Sequence, residues 1–227
     1  MRRRIAAALT ALSTLAAAPA LAQEEIAVDF NLGVASEYVF RGVSQTDEDP
    51  QVFGGADLTA GMFYAGFWAS NVDFGDSTDA EFDLYAGVTP IVGLFELDLG
   101  VLYYGYIDAP SGADYDYFEF QALASVPVGP ATVGAGVWFV PDSYSGIDHS
   151  AYFEMNASYS PTTRVSLSGA LGRQTFDGPG DYTTWNVGAA FALTDNLAVD
   201  LRYHDTDEHR FGKLYDSRVV VSLQADF

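Results

Sequence analysis

Carboxylates are the commonest chemically capable side chains in this sequence, and they recur at intervals of two. Glu81 pairs with Asp83 and Glu96 with Asp98, while Glu25, Asp29, Asp57, Glu119, Glu154 and Asp200 hold the same parity within their own segments. Arg164, Arg202 and Arg218 share that side. In an extended chain successive side chains point to opposite faces, so this spacing gathers the charges on one face. Such a face does electrostatic work. Where it borders water, rings of carboxylates ease the passage of cations. Where it is closed, the acids pair with the arginines and fill space. The pattern is compatible with both.

Bond-breaking chemistry has less to build on. The histidines are His149, His204 and His209, flanked by Asp148, Ser150, Asp205 and Asp207. Neighbours in a strand diverge to opposite faces, so adjacency supplies no catalytic dyad. The sequence has no G-x-S-x-G elbow, P-loop, dinucleotide fingerprint or H-E-x-x-H, and no catalytic residue is assigned. Acidic groups at Asp47-Glu48-Asp49, at Asp73, Asp76 and Asp79, and at Asp205-Thr206-Asp207-Glu208 offer oxygen to a hard cation. They lack the spacing of a calcium loop and read as solvated, mutually repelling segments, so no metal or other cofactor is assigned. Arg41 and Gln45 follow the first extended segment. They form a constriction or recognition point if that segment folds inward, and a hydrogen-bonded rim loop if it does not. Inward-parity aromatics Tyr64, Tyr85, Tyr104, Trp138 and Tyr152 stack on a ring-shaped solute or simply fill space.

The elements that position these residues follow from composition and period. The chain has 227 residues, 49% hydrophobic, 15% aromatic and 18% charged, with a formal net charge of -21. The aromatic content excludes a disordered chain. The acidity argues against nucleic acid as a partner, which needs clustered Lys and Arg. Without cysteine there are no disulfides and no thiolate chemistry. Arg2, Arg3 and Arg4, then an apolar run from Ile5 to Ala18, then Ala20-Leu21-Ala22, read as a secretory signal peptide over residues 1–22, leaving 23–227 as the mature domain.

Beyond it the period is almost everywhere two. Phe95, Leu97, Leu99, Val101 and Tyr103 alternate with Glu96, Asp98, Gly100, Leu102 and Tyr104. The pattern predicts about twelve strands: 25–40, 51–61, 63–74, 80–89, 94–106, 114–126, 131–141, 148–160, 164–176, 182–193, 197–207 and 216–227. Segment 63–74 is apolar on both faces and Arg173 falls on an apolar face, so ten or fourteen strands also fit. Tight turns near 61–62, 90–93, 127–130, 161–163 and 194–196 interleave with longer acidic loops at 41–50, 75–79, 107–113, 142–147, 177–181 and 208–215.

A bilayer tolerates only helices or closed barrels, and past the N-terminus no apolar run is long enough for a spanning helix. Strands of about ten residues, loops long at one end and tight at the other, and two aromatic belts mark a transmembrane barrel. Phe63, Phe95, Tyr159, Phe191 and Phe227 lie near the tight-turn ends; Tyr38, Phe40, Phe74, Tyr103, Phe139 and Phe176 lie near the long-loop ends. The expected fold is all-β, an antiparallel up-and-down transmembrane β-barrel. A soluble secreted sandwich or lipocalin-like barrel also alternates, with the apolar face turned inward.

The stretch Ser36-Glu37-Tyr38-Val39-Phe40-Arg41-Gly42-Val43-Ser44-Gln45-Thr46 resembles the signature of the TorF family of porin-like proteobacterial proteins, and residues 63–74 resemble its second block. The resemblance covers most of the mature chain. It implies an outer-membrane, porin-like protein of Gram-negative bacteria, and carries over no catalytic residue. The expectation is passive, cation-preferring diffusion of ions or small hydrophilic solutes through a wall lined by Asp29, Asp57, Glu81, Asp83, Glu96, Asp98, Glu119, Glu154, Arg164, Asp200, Arg202 and Arg218. Outer-membrane lipid, lipopolysaccharide and, through Phe227, the barrel-assembly machinery are the expected partners. A plugged structural or adhesion barrel and a rim-site hydrolase are the alternatives.

Overall fold

Alternating sequence needs one wet face and one apolar face, and the chain satisfies both by closing on itself. The structure, a computed structural model, describes residues 26–141 and 146–227. The expected signal peptide, Glu25 and Asp142 lie outside the described residues. Twelve long strands form the wall: β1 Ile26–Ala35, β2 Gln51–Ala60, β3 Phe63–Asn71, β4 Ala80–Val88, β5 Phe95–Ile107, β6 Tyr117–Val128, β7 Ala131–Val140, β8 Ser150–Tyr159, β9 Val165–Phe176, β10 Tyr182–Ala192, β11 Leu197–Thr206 and β12 Arg218–Asp226. Each pairs antiparallel with its neighbours in sequence. The ring closes between β1 and β12, from Asn31↔Asp226 to Ala35↔Ser222. Closure leaves no unpaired edge, which is what a strand structure in lipid requires.

The exposed face is the apolar one. Ile26, Val28, Phe30, Leu32 and Val34 of β1, Leu167 and Leu171 of β9, and Val219, Val221 and Leu223 of β12 all point outward into open surface. Between them the inward parity carries charge and hydroxyls, with Gln51, Ser70, Glu81, Asp83, Glu119, Glu154, Gln174 and Thr184 buried. A soluble sandwich or lipocalin-like barrel would reverse this arrangement. At the tight-turn end the termini are pinned together: Phe30 and Phe227 exchange backbone hydrogen bonds, and Asp226 N–H donates to the Asn196 carbonyl.

Two expectations change. The first strand stops at Ala35 rather than residue 40. Beyond it the chain turns into the barrel and forms a hairpin of two short segments, Val39–Phe40 and Val43–Ser44. The alternation continues across this break because the hairpin also has a wall-facing side and a lumen-facing side. The expected long-loop belt is also only one third present. Tyr103 and Phe139 point outward, but Tyr38 is buried inside with Trp68. Phe40 packs on Tyr104, Phe74 on Tyr106, and Phe176 on inward-facing Tyr182. At the other end Phe63, Phe95, Tyr159, Phe191 and Phe227 all lie on the exposed outer face.

Candidate functional site

The inward hairpin makes the site. Its turn is Arg41-Gly42, with φ of 48° and 85°, the left-handed pair of a two-residue hairpin turn. Gly42 is required twice. Its φ suits glycine, and a side chain there would run into the hydroxyl of Thr184 on β10 and the methyl of Thr206 on β11. The base of the hairpin is tied by Gln45 N–H to the Tyr38 carbonyl, Tyr38 N–H to Thr46 Oγ1, and Thr46 Oγ1–H to the Asp49 carbonyl. Thr46 is 0% exposed.

β1 adjoins β2 and β12, so β6, β7 and β8 form the far wall. Arg41 reaches it. Nη2 donates to Glu119 Oε1 at 2.9 Å, and Nη1 lies 2.8 Å from Oε2. The second contact is an ion pair outside hydrogen-bond geometry. The guanidinium carbon sits 4.6 Å from the ring centroid of Phe40, 4.6 Å from Tyr152 and 5.6 Å from Trp138. Three aromatic faces and a fully buried carboxylate therefore hold one cation. Tyr104 adds a hydroxyl to Glu119 Oε1 at 3.1 Å. Tyr38, one turn earlier, donates to Glu81 Oε1 at 2.8 Å. The hairpin is thus a crossbar tied to two carboxylates of the barrel wall. Gln45 takes no part in this: its side-chain amide turns back to the Val43 carbonyl.

The structure places the other expected wall residues unevenly. Asp29 and Asp57 face each other across the β1–β2 ladder, and Tyr85 donates to Asp57 at 2.6 Å. Asp98 accepts from Tyr64 at 2.6 Å and from Gln121, which also takes the Trp138 indole N–H. Glu154 accepts from Tyr152 and Asn156. Arg202 binds both oxygens of Asp200, plus Asn186 and Ser168. Arg218 pairs with Glu37 at the foot of the hairpin. Glu96 lies on the inner parity of β5, opposite Ser125. Arg164 is exposed in the turn before β9. Asp83 differs from all of these. It is 4% exposed, between Trp68 and Tyr104 in the ladders, and its Oδ1 has no hydrogen-bond partner.

Bulky inward side chains fill β3–β8, whereas β9–β12 mix the small Ser166, Ser168, Ala170, Gly188, Ala190, Ala198 and Ser222 with Gln174, Tyr182, Arg202, His204 and Gln224. Half-exposed inner residues such as Asp57, Asp98, Asn156, Ser168 and Arg202 lie towards the tight-turn end, and the fully buried ones towards the hairpin.

The long-loop rim holds itself together by charge. Lys213 reaches Asp47 at 2.7 Å, tying the 207–217 loop to the hairpin loop, and this contact raises the lysine pKa. His209 Nε2 lies 2.7 Å from Asp205, and Nδ1 lies 3.9 Å from Asp216. Both ring nitrogens face carboxylates, an ion-pair arrangement rather than that of a base beside a nucleophile. The hydrogen bond to Asp205 raises the His209 pKa. Asp73 and Asp76 accept from Gly75 N–H and Thr78 N–H, and Asp76 titrates below its ordinary value because of the Thr78 contacts. Among the described residues no acidic or histidine cluster is arranged to hold a metal ion.

The family description "Bacterial protein of unknown function (Gcw_chp)" fits residues 19–227. No curated protein matches the sequence. Solved porins share the fold. The KdgM porin superposes with a TM-score of 0.60 at 10% identity, over 88% of this chain and 98% of its own. The KdgM porin in complex with disordered oligogalacturonate gives 0.61 at 10% identity over the same shares. The NanC porin gives 0.56 at 9% identity, over 88% and 98%.

Proposed function

We propose that this chain, which belongs to the Gcw_chp family of bacterial proteins, is a porin-like channel of the Gram-negative outer membrane that passes small hydrophilic solutes or ions with a preference for cations. The reading rests on one observation: a closed barrel apolar outside and polar inside, with the solvent-reached inner face acidic. A twelve-stranded ring lies between barrels filled by side chains and those with a wide aqueous channel. The Arg41 crossbar narrows what remains. The small residues of β9–β12 widen the passage towards the tight turns, away from the hairpin tip that Gly42 sets against Thr184 and Thr206. The signal-like leader and the resemblance to the TorF family support the same location and role.

The preference for cations follows from unequal pairing. Asp57, Asp98 and Glu154 accept from neutral hydroxyl and amide donors, so no basic partner offsets them, whereas Arg202 is already paired with Asp200. Such a wall disfavours a polyanion such as the oligogalacturonate found with the KdgM porin. Planar-bilayer recording under a salt gradient tests this reading. Stepwise conductance with a cation-selective reversal potential is expected. A chloride-selective potential refutes the preference. Silence from barrels shown to be folded and inserted by their heat-shifted gel mobility refutes the channel.

A further inference from the structure

We propose that the recess filled by Arg41 is a binding site for the cationic head of a solute, a guanidinium or primary ammonium group, and that Arg41 occupies it as an internal stand-in. This deepens the channel reading above and rests on it. The recess is built as a cation receptor. Trp138 and Tyr152 on β7 and β8 present ring faces within 5.6 Å of the guanidinium carbon. Glu119 on β6, 0% exposed, receives its nitrogens, and Tyr104 orients one Glu119 oxygen. All of these groups belong to the barrel wall; only the cation, with Phe40 beside it, comes from the hairpin.

Charge points the same way. Glu81, Asp83 and Glu119 are all buried in this end of the barrel. Glu81 has a neutral partner in Tyr38, Glu119 has Arg41, and Asp83 Oδ1 is buried with no hydrogen-bond partner. A buried polar oxygen without a partner is costly, and a second hydrogen-bond donor entering beside Arg41, or replacing it, relieves that cost. The hairpin that delivers Arg41 is only two residue pairs long, and Arg41 holds a left-handed backbone conformation uncommon for a residue with a side chain. The hairpin backbone is tied at its base through Tyr38, Gln45 and Thr46, so what a solute can contest is the set of contacts made by the guanidinium. A solute with the same head group competes for those contacts, and the crossbar yields to it.

Chemical rescue tests this without any conductance. In the full-length barrel extracted in detergent, Arg41→Ala should lower the temperature of the gel-mobility shift. Millimolar methylguanidinium should restore at least half of that loss, saturably, while its neutral isostere methylurea restores none. Glu119→Gln in the same background should abolish the response. Arg41→Met, which keeps the packing of the stem, is read in the same way if the alanine variant does not fold. No rescue, equal rescue by methylurea, or rescue undiminished by Glu119→Gln overturns the proposal. A silent bilayer would overturn the channel instead, so the two failures are distinguishable.

Discussion

Breaking the crossbar one partner at a time should cost far more than removing both. The shorter Arg41–Glu119 contact is 2.8 Å. At an effective dielectric near 20 that separation gives about 6 kcal/mol of gross attraction. Desolvating two ions cancels most of it, so the pair as a whole contributes little. Glu119→Gln leaves an arginine among the rings without its counter-charge, and Arg41→Ala leaves a fully buried carboxylate without one. Each should cost about 3–5 kcal/mol. The double variant removes both charges and loses chiefly the three ring contacts, each ~0.5–1 kcal/mol, so it should sit about 2–3 kcal/mol below wild type. The coupling energy is then at least ~3 kcal/mol. Urea unfolding of lipid-refolded barrels, followed by tryptophan fluorescence, measures all four corners of the cycle. Additive losses, or single losses under about 1 kcal/mol, refute a buried, mutually dependent pair and with it the crossbar.

Two further outcomes follow. Met155 is 65% exposed on the outer face of β8, and its neighbour Asn156 points inward to Glu154. Met155→Lys should destabilise the inserted barrel by about 2–4 kcal/mol, while Asn156→Lys, able to pair with Glu154, should change it by less than about 1 kcal/mol; equal costs would reverse the assignment of inside and outside. The His209 pKa is raised by its hydrogen bond to Asp205, so the anchoring it gives the 207–217 loop is complete below its unfolded value of about 6.5. That anchoring fades as pH rises through the higher folded value. Hydrogen exchange of this loop, corrected for intrinsic rate, should therefore quicken across that window in wild type and not in His209→Asn; a pH-independent ratio in wild type sinks the assignment.

The barrel was legible because a closed wall with an apolar outer face imposes one rule on every strand. Each outward position must be apolar, and that constraint prints period two along the whole wall, so the twelve strands and their turns fall within a few residues of the expected places. The crossbar was legible only in part. Ser36 to Thr46 carry the same alternation as β1, since a hairpin lying against a wall also has two faces. Nothing local marks where the chain leaves the sheet except Arg41-Gly42, the turn pair itself. Arg41 was singled out as a possible inward group, but its partner was beyond reach: Glu119 is 78 residues away, and only ring closure makes β6 the far side from β1. Tyr38, Phe40 and Phe74 went astray for a related reason. An aromatic near a strand end reads as a belt residue from sequence, whereas the hairpin gives it an inner surface to pack on.

The same geometry explains how an acid-rich interior coexists with a constricted one. Towards the hairpin, burial makes a bare carboxylate expensive, and the chain answers with Arg41 for Glu119 and the Tyr38 hydroxyl for Glu81. Towards the tight turns the inner face meets water, hydration supports the charge, and phenols and amides suffice for Asp57 and Asp98. Asp83 falls on the buried side of that divide without an answering group at Oδ1. That unanswered oxygen faces the same end of the barrel in which Arg41 is held against three aromatic faces, so the proposed cation recess and the unmet hydrogen-bonding capacity of the wall fall together.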